Sequence, residues 1–494
     1  MDYPEKQKSS FIERLLQSFV DFFKGIGKFF VKLYKGIING SINFFKRFKE
    51  GSIGTKLSHL IFGAGNFYHK RFIKGLIYLA LQVGFILILV LNPTVGGSAE
   101  VRGTPIGFKA IGNFFTLGTI QGVDIFDHTD NSMLMLLFGV VTFAIIGLYF
   151  YVWNSSIKSS ALADQLKKEE KHVNTFKEDL HSLIDEKFHI TMLTPALLGV
   201  LIFTILPTIF MIFIAFTNYD STRFAGQHLF DWVGFANFRS MFSGQGEIAL
   251  RFLPILTWTL VWAFFATFTN YFGGILVALL INNKYIRGKK VWRTIFVLTI
   301  AIPQFISLLA VVNLLSPSGP INSMLINLGI IDQGIEFLGN ASNGYLPKVM
   351  VILINMWVGI PFTMLMTSGI LMNIPADLYE AAVIDGANRR QVFVKITMPY
   401  VIFVTTPYLI SSFIGNITSF NIIFLLTGGG PSVSGGLKGG QTDLLVTWLY
   451  KLTVDNREYN IGSVIGILTF IITATGTLIT YRRSKAFKEE DAFQ

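Results

Sequence analysis

Largely uncharged stretches recur along the chain, separated by polar segments. Eight are read as spans, at 73–92, 133–153, 192–217, 255–281, 294–314, 349–373, 397–425 and 460–480. Each reaches the roughly 20 residues that an α-helix needs to cross a bilayer. Backbone groups find no water there, so a helix, which bonds its own backbone, is the predicted element. The pattern gives an all-α polytopic membrane protein of about eight transmembrane helices, six of them at about 192–480.

The first seventy residues follow another rhythm. Leu15, Phe19, Phe22, Phe23, Ile26, Phe30, Leu33 and Ile37 recur at three- and four-residue spacing, while Lys24, Lys28, Lys32 and Lys35 fall largely on another face. This is the pattern of a helix lying in the headgroup layer, with its lysines toward anionic lipid. Gly25, Gly27, Gly36 and Gly40 weaken it, each by up to about 1 kcal/mol relative to alanine, and a frayed basic tail reads equally well. Residues 160–188 are mixed-charge with a helical period and are expected to be a cytoplasmic helix. The stretches Ser316 to Pro320 and Gly428 to Gly440 are expected to be irregular outer loops.

Composition agrees with the pattern. Apolar residues make up 51% of the chain and charged ones 14%, against roughly a quarter charged in a soluble domain. The net charge of +11 would suit nucleic acid, but its placement argues otherwise. With the N-terminus inside, the inner segments 1–74, 154–191, 282–293, 374–396 and 481–494 hold 32 of the 41 lysines and arginines. That bias sets both termini on the cytoplasmic side of the cell membrane and accounts for the charge without nucleic acid.

Several chemistries are missing from the sequence. Zero cysteines exclude disulfides and thiol catalysis. Gly27-Lys28 and Gly288-Lys289 lack the earlier glycine and following hydroxyl of a phosphate loop. The seven histidines, at 59, 69, 128, 172, 181, 189 and 228, form no metal-ligand spacing, and most are read as solvent or interface residues. No catalytic residue, metal or cofactor is expected.

Residues 380–399, EAAVIDGANRRQVFVKITMP, form a polar island between two long uncharged stretches. Pro375 and Asp377 suit a helix start, Gly386 a bend, and Asn388 a second short helix that ends where Pro399 begins the next span. Taken alone, this also describes an ordinary interfacial loop. The spacing resembles the EAA loop of ATP-binding-cassette (ABC) importer permeases: Glu-Ala-Ala, three residues, Gly, nine residues, Ile, one residue, Leu-Pro. Here Glu380, Ala381, Ala382, Gly386, Ile396 and Pro399 match, Asp385 and Ala387 complete the common Asp-Gly-Ala extension, and Met398 replaces the leucine.

The segments 354–387 and 406–431 are further similar to the larger permease subunit of maltose/maltodextrin importers, a likeness covering about the last 300 residues. It implies a type I importer permease core at 192–482, after a basic N-terminus at 1–60 and two peripheral spans at 61–191, with a cytoplasmic tail at 483–494. It implies these partners: a second homologous permease, a dimeric ATPase gripping Glu380 to Ala387, an extracellular solute-binding protein, and an oligosaccharide cargo. The short segment after the third span and the long basic N-terminus suggest a Gram-positive bacterium, with a lipid-anchored receptor. Sugar contacts carried over by resemblance are Asn355, Val358, Gly359, Phe362, Ser412, Gly415, Asn416 and Ser419. At 362, 415 and 419 this chain departs from the best-known member, which has Tyr, Phe and Asn.

The residues themselves point the same way. From Ile396 to Leu437 there is no Asp, Glu, Lys, Arg or His, and ion-coupled carriers keep such groups at mid-membrane. Asn270, Asn355, Ser412, Asn416, Thr418, Ser419 and Asn421 lie near Trp357, Phe362, Phe413 and Phe420, which suits a neutral, hydroxyl-rich ligand. Taken singly, each of them is better explained by hydrogen bonding to a neighbouring helix. The alternatives are an importer for another neutral solute, such as a raffinose-type sugar, a polyol or a glycerol-phosphate diester, and an ion-coupled secondary transporter.

Overall fold

The computed structural model describes residues 11–95, 104–120, 130–223, 229–283, 285–339, 344–433 and 439–483. Among the described residues seven helices are long and apolar enough to cross a membrane, or eight spans where a bent pair counts as one. Eight spans were expected, and all lie where the hydropathy pattern puts them, with shifted ends. The described residues divide into two compact units, one built on 23–237 with 458–460 and the other on 238–457 and 461–483 together with 11–22.

α1 (Phe11–Glu50) is a single 40-residue helix that runs through its glycines, and its residues from Phe23 on belong to the first unit. Val31, Tyr34, Ile38, Ile42 and Phe45 make an exposed apolar stripe along it. Two spans follow, α2 (Phe72–Leu91) and α3 (Ser132–Lys168). The expected helix at 160–188 is a correction: α3 continues unbroken to Lys168, and a separate α4 (Phe176–Ile184) starts at Thr175. Thr175 and Glu178 form a reciprocal capping box, which satisfies two N-terminal donors and resets the helix there. The third span, α5 (Phe188–Ile214), packs its last turns against Phe114, Leu136 and Val140.

A buried polar clamp fixes the segment between α1 and α2. Asp164 on α3 accepts from the Ser52 amide at 3.0 Å, the Thr55 hydroxyl at 2.5 Å and His69 Nε2 at 2.8 Å. The His69 side chain is only 2% exposed, so this histidine departs from the solvent or interface reading. His128 and His228 lie outside the described residues.

The second unit centres on α6 (Glu247–Asn282). Next come α7 (Lys289–Ala301) and α8 (Gln304–Leu314), bent by 93° to each other. The fifth span was expected as one stretch at 294–314. Pro303 breaks it, since proline lacks the amide and forces Ile302 into the extended region. The long α9 (Tyr345–Asn373) lies along α6. It is followed by the short α10 (Ala376–Ile384), then α11 (Arg389–Ile417), α12 (Asn421–Thr427), α13 (Leu445–Tyr450) and α14 (Tyr459–Arg483). The seventh span is thus corrected from 397–425 to 389–417, with 421–427 a separate short helix. Pro320, expected in an irregular loop, opens a helix at its first position.

Lipid removes most of the hydrophobic drive between spans, so close packing of small residues has to hold them. Gly274 of α6 supplies it: a Cβ there would fall 2.9 Å from the Met364 amide nitrogen on α9. That is backbone and cannot swing aside. Gly274→Val should therefore force α6 and α9 apart and cost about 1–3 kcal/mol. The reading is the melting temperature of the detergent-purified protein, and an unchanged value would refute the close approach.

Candidate functional site

Three helices of the second unit share a seam of uncharged hydrogen-bonding groups. From α6, Thr267 Oγ1 accepts from Asn416 Nδ2 of α11 at 2.9 Å, and the Tyr271 hydroxyl meets Thr405 Oγ1 at 2.7 Å. Asn355 of α9 is buried, with Nδ2 3.5 Å from the Ala266 carbonyl, a long and weak bond. Gly359 backs onto Asn270, leaving no room for a side chain. Asn270 Oδ1 is buried without a hydrogen-bond partner, which is uncommon for a buried amide.

On the other side of α9, Val358 and Phe362 join Trp357 in lining a cavity of about 230 Å³ beside the Pro303 bend. Its far wall is Thr299, Gln304 and Ser307. Phe362 also lies against Tyr408 of α11, with ring centroids 5.8 Å apart, and the Tyr408 hydroxyl is 3.3 Å from Thr363 Oγ1.

The structure therefore divides the eight expected contact residues. Val358 and Phe362 face the cavity, while Asn355, Gly359 and Asn416 face α6. Gly415 is exposed with open space around it, and Ser412 and Ser419 are half-buried. The sequence reading missed Tyr408, although it sits one turn before Ser412 and continues the same face. It also missed Gln304 and Ser307, whose place depends on a bend that no local signal announced.

The polar island is a compact elbow. Helix α10 ends at Asp385, and Gly386 then takes a left-handed φ of +75°. Its amide donates to the Val383 carbonyl at 3.0 Å, and the Ala387 amide to the Ala382 carbonyl at 2.9 Å. These two bonds make a Schellman stop, for which glycine is the favoured residue. Asn388 and Gln391 form a capping box at 2.8 and 2.9 Å. The expected second short helix is a correction: it runs without a break into the span. A wide turn at Phe393–Thr397 precedes Pro399 and accommodates the missing proline donor. Ala382 is buried, whereas Glu380, Ala381 and Asp385 are exposed, and Ile384 stands 86% exposed. The Tyr379 hydroxyl, 3.1 Å from Thr397 Oγ1, ties the elbow back to the span.

Comparison with known proteins places this geometry. Residues 270–487 match the family described as "Binding-protein-dependent transport system inner membrane component". The chain is 33% identical to the galactooligosaccharides transport system permease protein of Bacillus subtilis over 88% of its own length and 98% of that protein. It is 32% identical to the maltodextrin transport system permease protein of Streptococcus pneumoniae, over 88% of this chain and 96% of that one. The maltose/maltodextrin permease of Escherichia coli matches at 34% over 51% of this chain and 49% of its own length. Among solved structures, a bacterial ABC transporter involved in the import of the acidic polysaccharide alginate superposes with a TM-score of 0.51 and 25% identity, covering 62% of this chain and 98% of that chain.

Proposed function

Because this chain belongs to the binding-protein-dependent inner-membrane transport components, we propose that it is the permease subunit of an ABC importer that takes up neutral oligosaccharides of the maltodextrin type. The uncharged groups on the two sides of α9 carry the reading: the amides and hydroxyls of its seam with α6 and α11 match a sugar's hydroxyls, and Trp357 and Phe362 on its other side match the sugar's apolar faces. The cargo contacts are Asn355, Val358, Gly359, Phe362, Ser412, Gly415, Asn416 and Ser419, with Asn270 added for its unpartnered oxygen. Galactooligosaccharides are the second reading, favoured by a relative at 33% identity that carries that name, against 32% for the maltodextrin permease.

The partners follow from the family: a second homologous permease, a dimeric ATPase that hydrolyses the ATP, and an extracellular, lipid-anchored receptor. A related alginate transporter has been solved with its periplasmic binding protein, which supports the receptor. Both termini are cytoplasmic and the host is Gram-positive on this proposal. ATP closes the ATPase dimer, the elbow at Glu380 to Ala387 moves with it, and the seam opens outward to receive the sugar.

The test is maltotriose and galactooligosaccharide uptake by proteoliposomes holding the whole complex. Asn416→Ala should lower uptake at least tenfold with the complex intact, while Thr267→Val, which removes only the helix partner, should leave it near wild type. Wild-type uptake by Asn416→Ala would discard the site. Equal losses in both variants would reduce Asn416 to an interhelical bond.

A further inference from the structure

A second cavity, of about 290 Å³, lies between the lower ends of α2 and α3 and the α4 helix, far in sequence from the seam. Arg71, Lys74, Lys158 and Lys187 line it, against the single carboxylate of Asp179. Both Arg71 Nη2 and Lys74 Nζ lean on one oxygen of that carboxylate, the lysine at 2.6 Å. Lys158 and Lys187 have no ion-pair partner among the described residues. The Arg71 side chain is only 8% exposed, yet its Nε is buried with no acceptor. A buried charged donor left unmatched is costly.

Four cations sharing one carboxylate call for an anion with several acceptor oxygens, and a phosphate presents them in the geometry that arginine matches. The rim shows where such an anion comes from. Ile73 and Leu76 beside Lys74, and Leu162 beside Lys158, are apolar and 56%, 61% and 56% exposed, so the cavity mouth adjoins surface that faces acyl chains. The basic segments at 1–74 and 154–191 put this level at the cytoplasmic leaflet, where anionic lipid gathers.

We propose that this cavity binds a phosphate group, supplied by the headgroup of an anionic phospholipid of the inner leaflet. The lipid would hold the peripheral helices α2, α3 and α4 together, and the site is independent of the cargo seam.

The test uses the full importer complex in nanodiscs of phosphatidylglycerol or phosphatidylcholine, with bound lipid counted by native mass spectrometry. Wild type should retain phosphatidylglycerol, and the pair Lys158→Glu/Lys187→Glu should reduce its occupancy at least tenfold. Both lysines are exposed, so folding is spared, as an unchanged melting temperature in phosphatidylcholine would verify. Lys158→Arg/Lys187→Arg should keep the lipid. In phosphatidylcholine discs, inorganic phosphate is titrated against the melting temperature. Stabilisation there without lipid retention assigns the phosphate to a soluble source. Equal lipid retention by wild type and the glutamate pair, with no response to inorganic phosphate, overturns the site.

Discussion

Lys451→Met is expected to cost about 3–5 kcal/mol of stability, because it strands a buried carboxylate. Asp443 is fully buried and accepts from Lys451 Nζ at 2.7 Å, from the Gly440 amide at 2.6 Å and from Thr447 Oγ1 at 2.9 Å. The two neutral donors remain in the variant, but the charge that balanced the carboxylate does not. Arg251 bonds the Gly440 carbonyl at 2.7 Å, so the loss spreads to the loop that packs over α6. Asp443→Asn/Lys451→Met, which removes both charges, should recover most of the melting temperature. A single variant as stable as wild type, or a double variant no better than the single, would show that the pair does not hold this corner.

The second large effect is on coupling. On the proposed mechanism, Gly386→Val should lower sugar uptake at least tenfold while the proposed ATPase partner continues to turn over, so that sugar moved per ATP falls. Open space surrounds Gly386, and the penalty is purely conformational. A left-handed backbone costs an L-residue roughly 1–2 kcal/mol, and a β-branched side chain suffers most. The chain would relieve it by abandoning the Schellman stop, which swings Glu380 and Ala381 away from their exposed presentation. Gly386→Asn should keep an intermediate rate, since asparagine tolerates this region. Transport by Gly386→Val at the wild-type ratio would remove the elbow from the mechanism.

The spans were legible because length and absence of charge are local properties, readable without knowing any neighbour. Proline was not legible in the same way. Pro254 and Pro361 sit inside continuous helices, whereas Pro303 ends one and turns the chain by 93°. The residue type is identical, and packing decides. The elbow was readable down to its glycine because a Schellman stop and a capping box are written in adjacent residues. Its continuation into α11 was not, since the wide turn at Phe393–Thr397 leaves no compositional mark. The seam joins Thr267 to Asn416, 149 positions apart, and the clamp joins His69 to Asp164 across 95. Only tertiary packing makes such pairs.

The unbroken run of α11 has a geometric result. Its 29 residues, at about 1.5 Å each, make a rod of roughly 43 Å, longer than the ~30 Å hydrocarbon layer. Pivoted near Asn388, such a rod acts as a lever arm: tilting it by about 10° sweeps the far tip through roughly 7 Å. On the proposed coupling, a modest swing of the elbow would be magnified into a displacement about as wide as a hexose ring, without any bond along the shaft having to break.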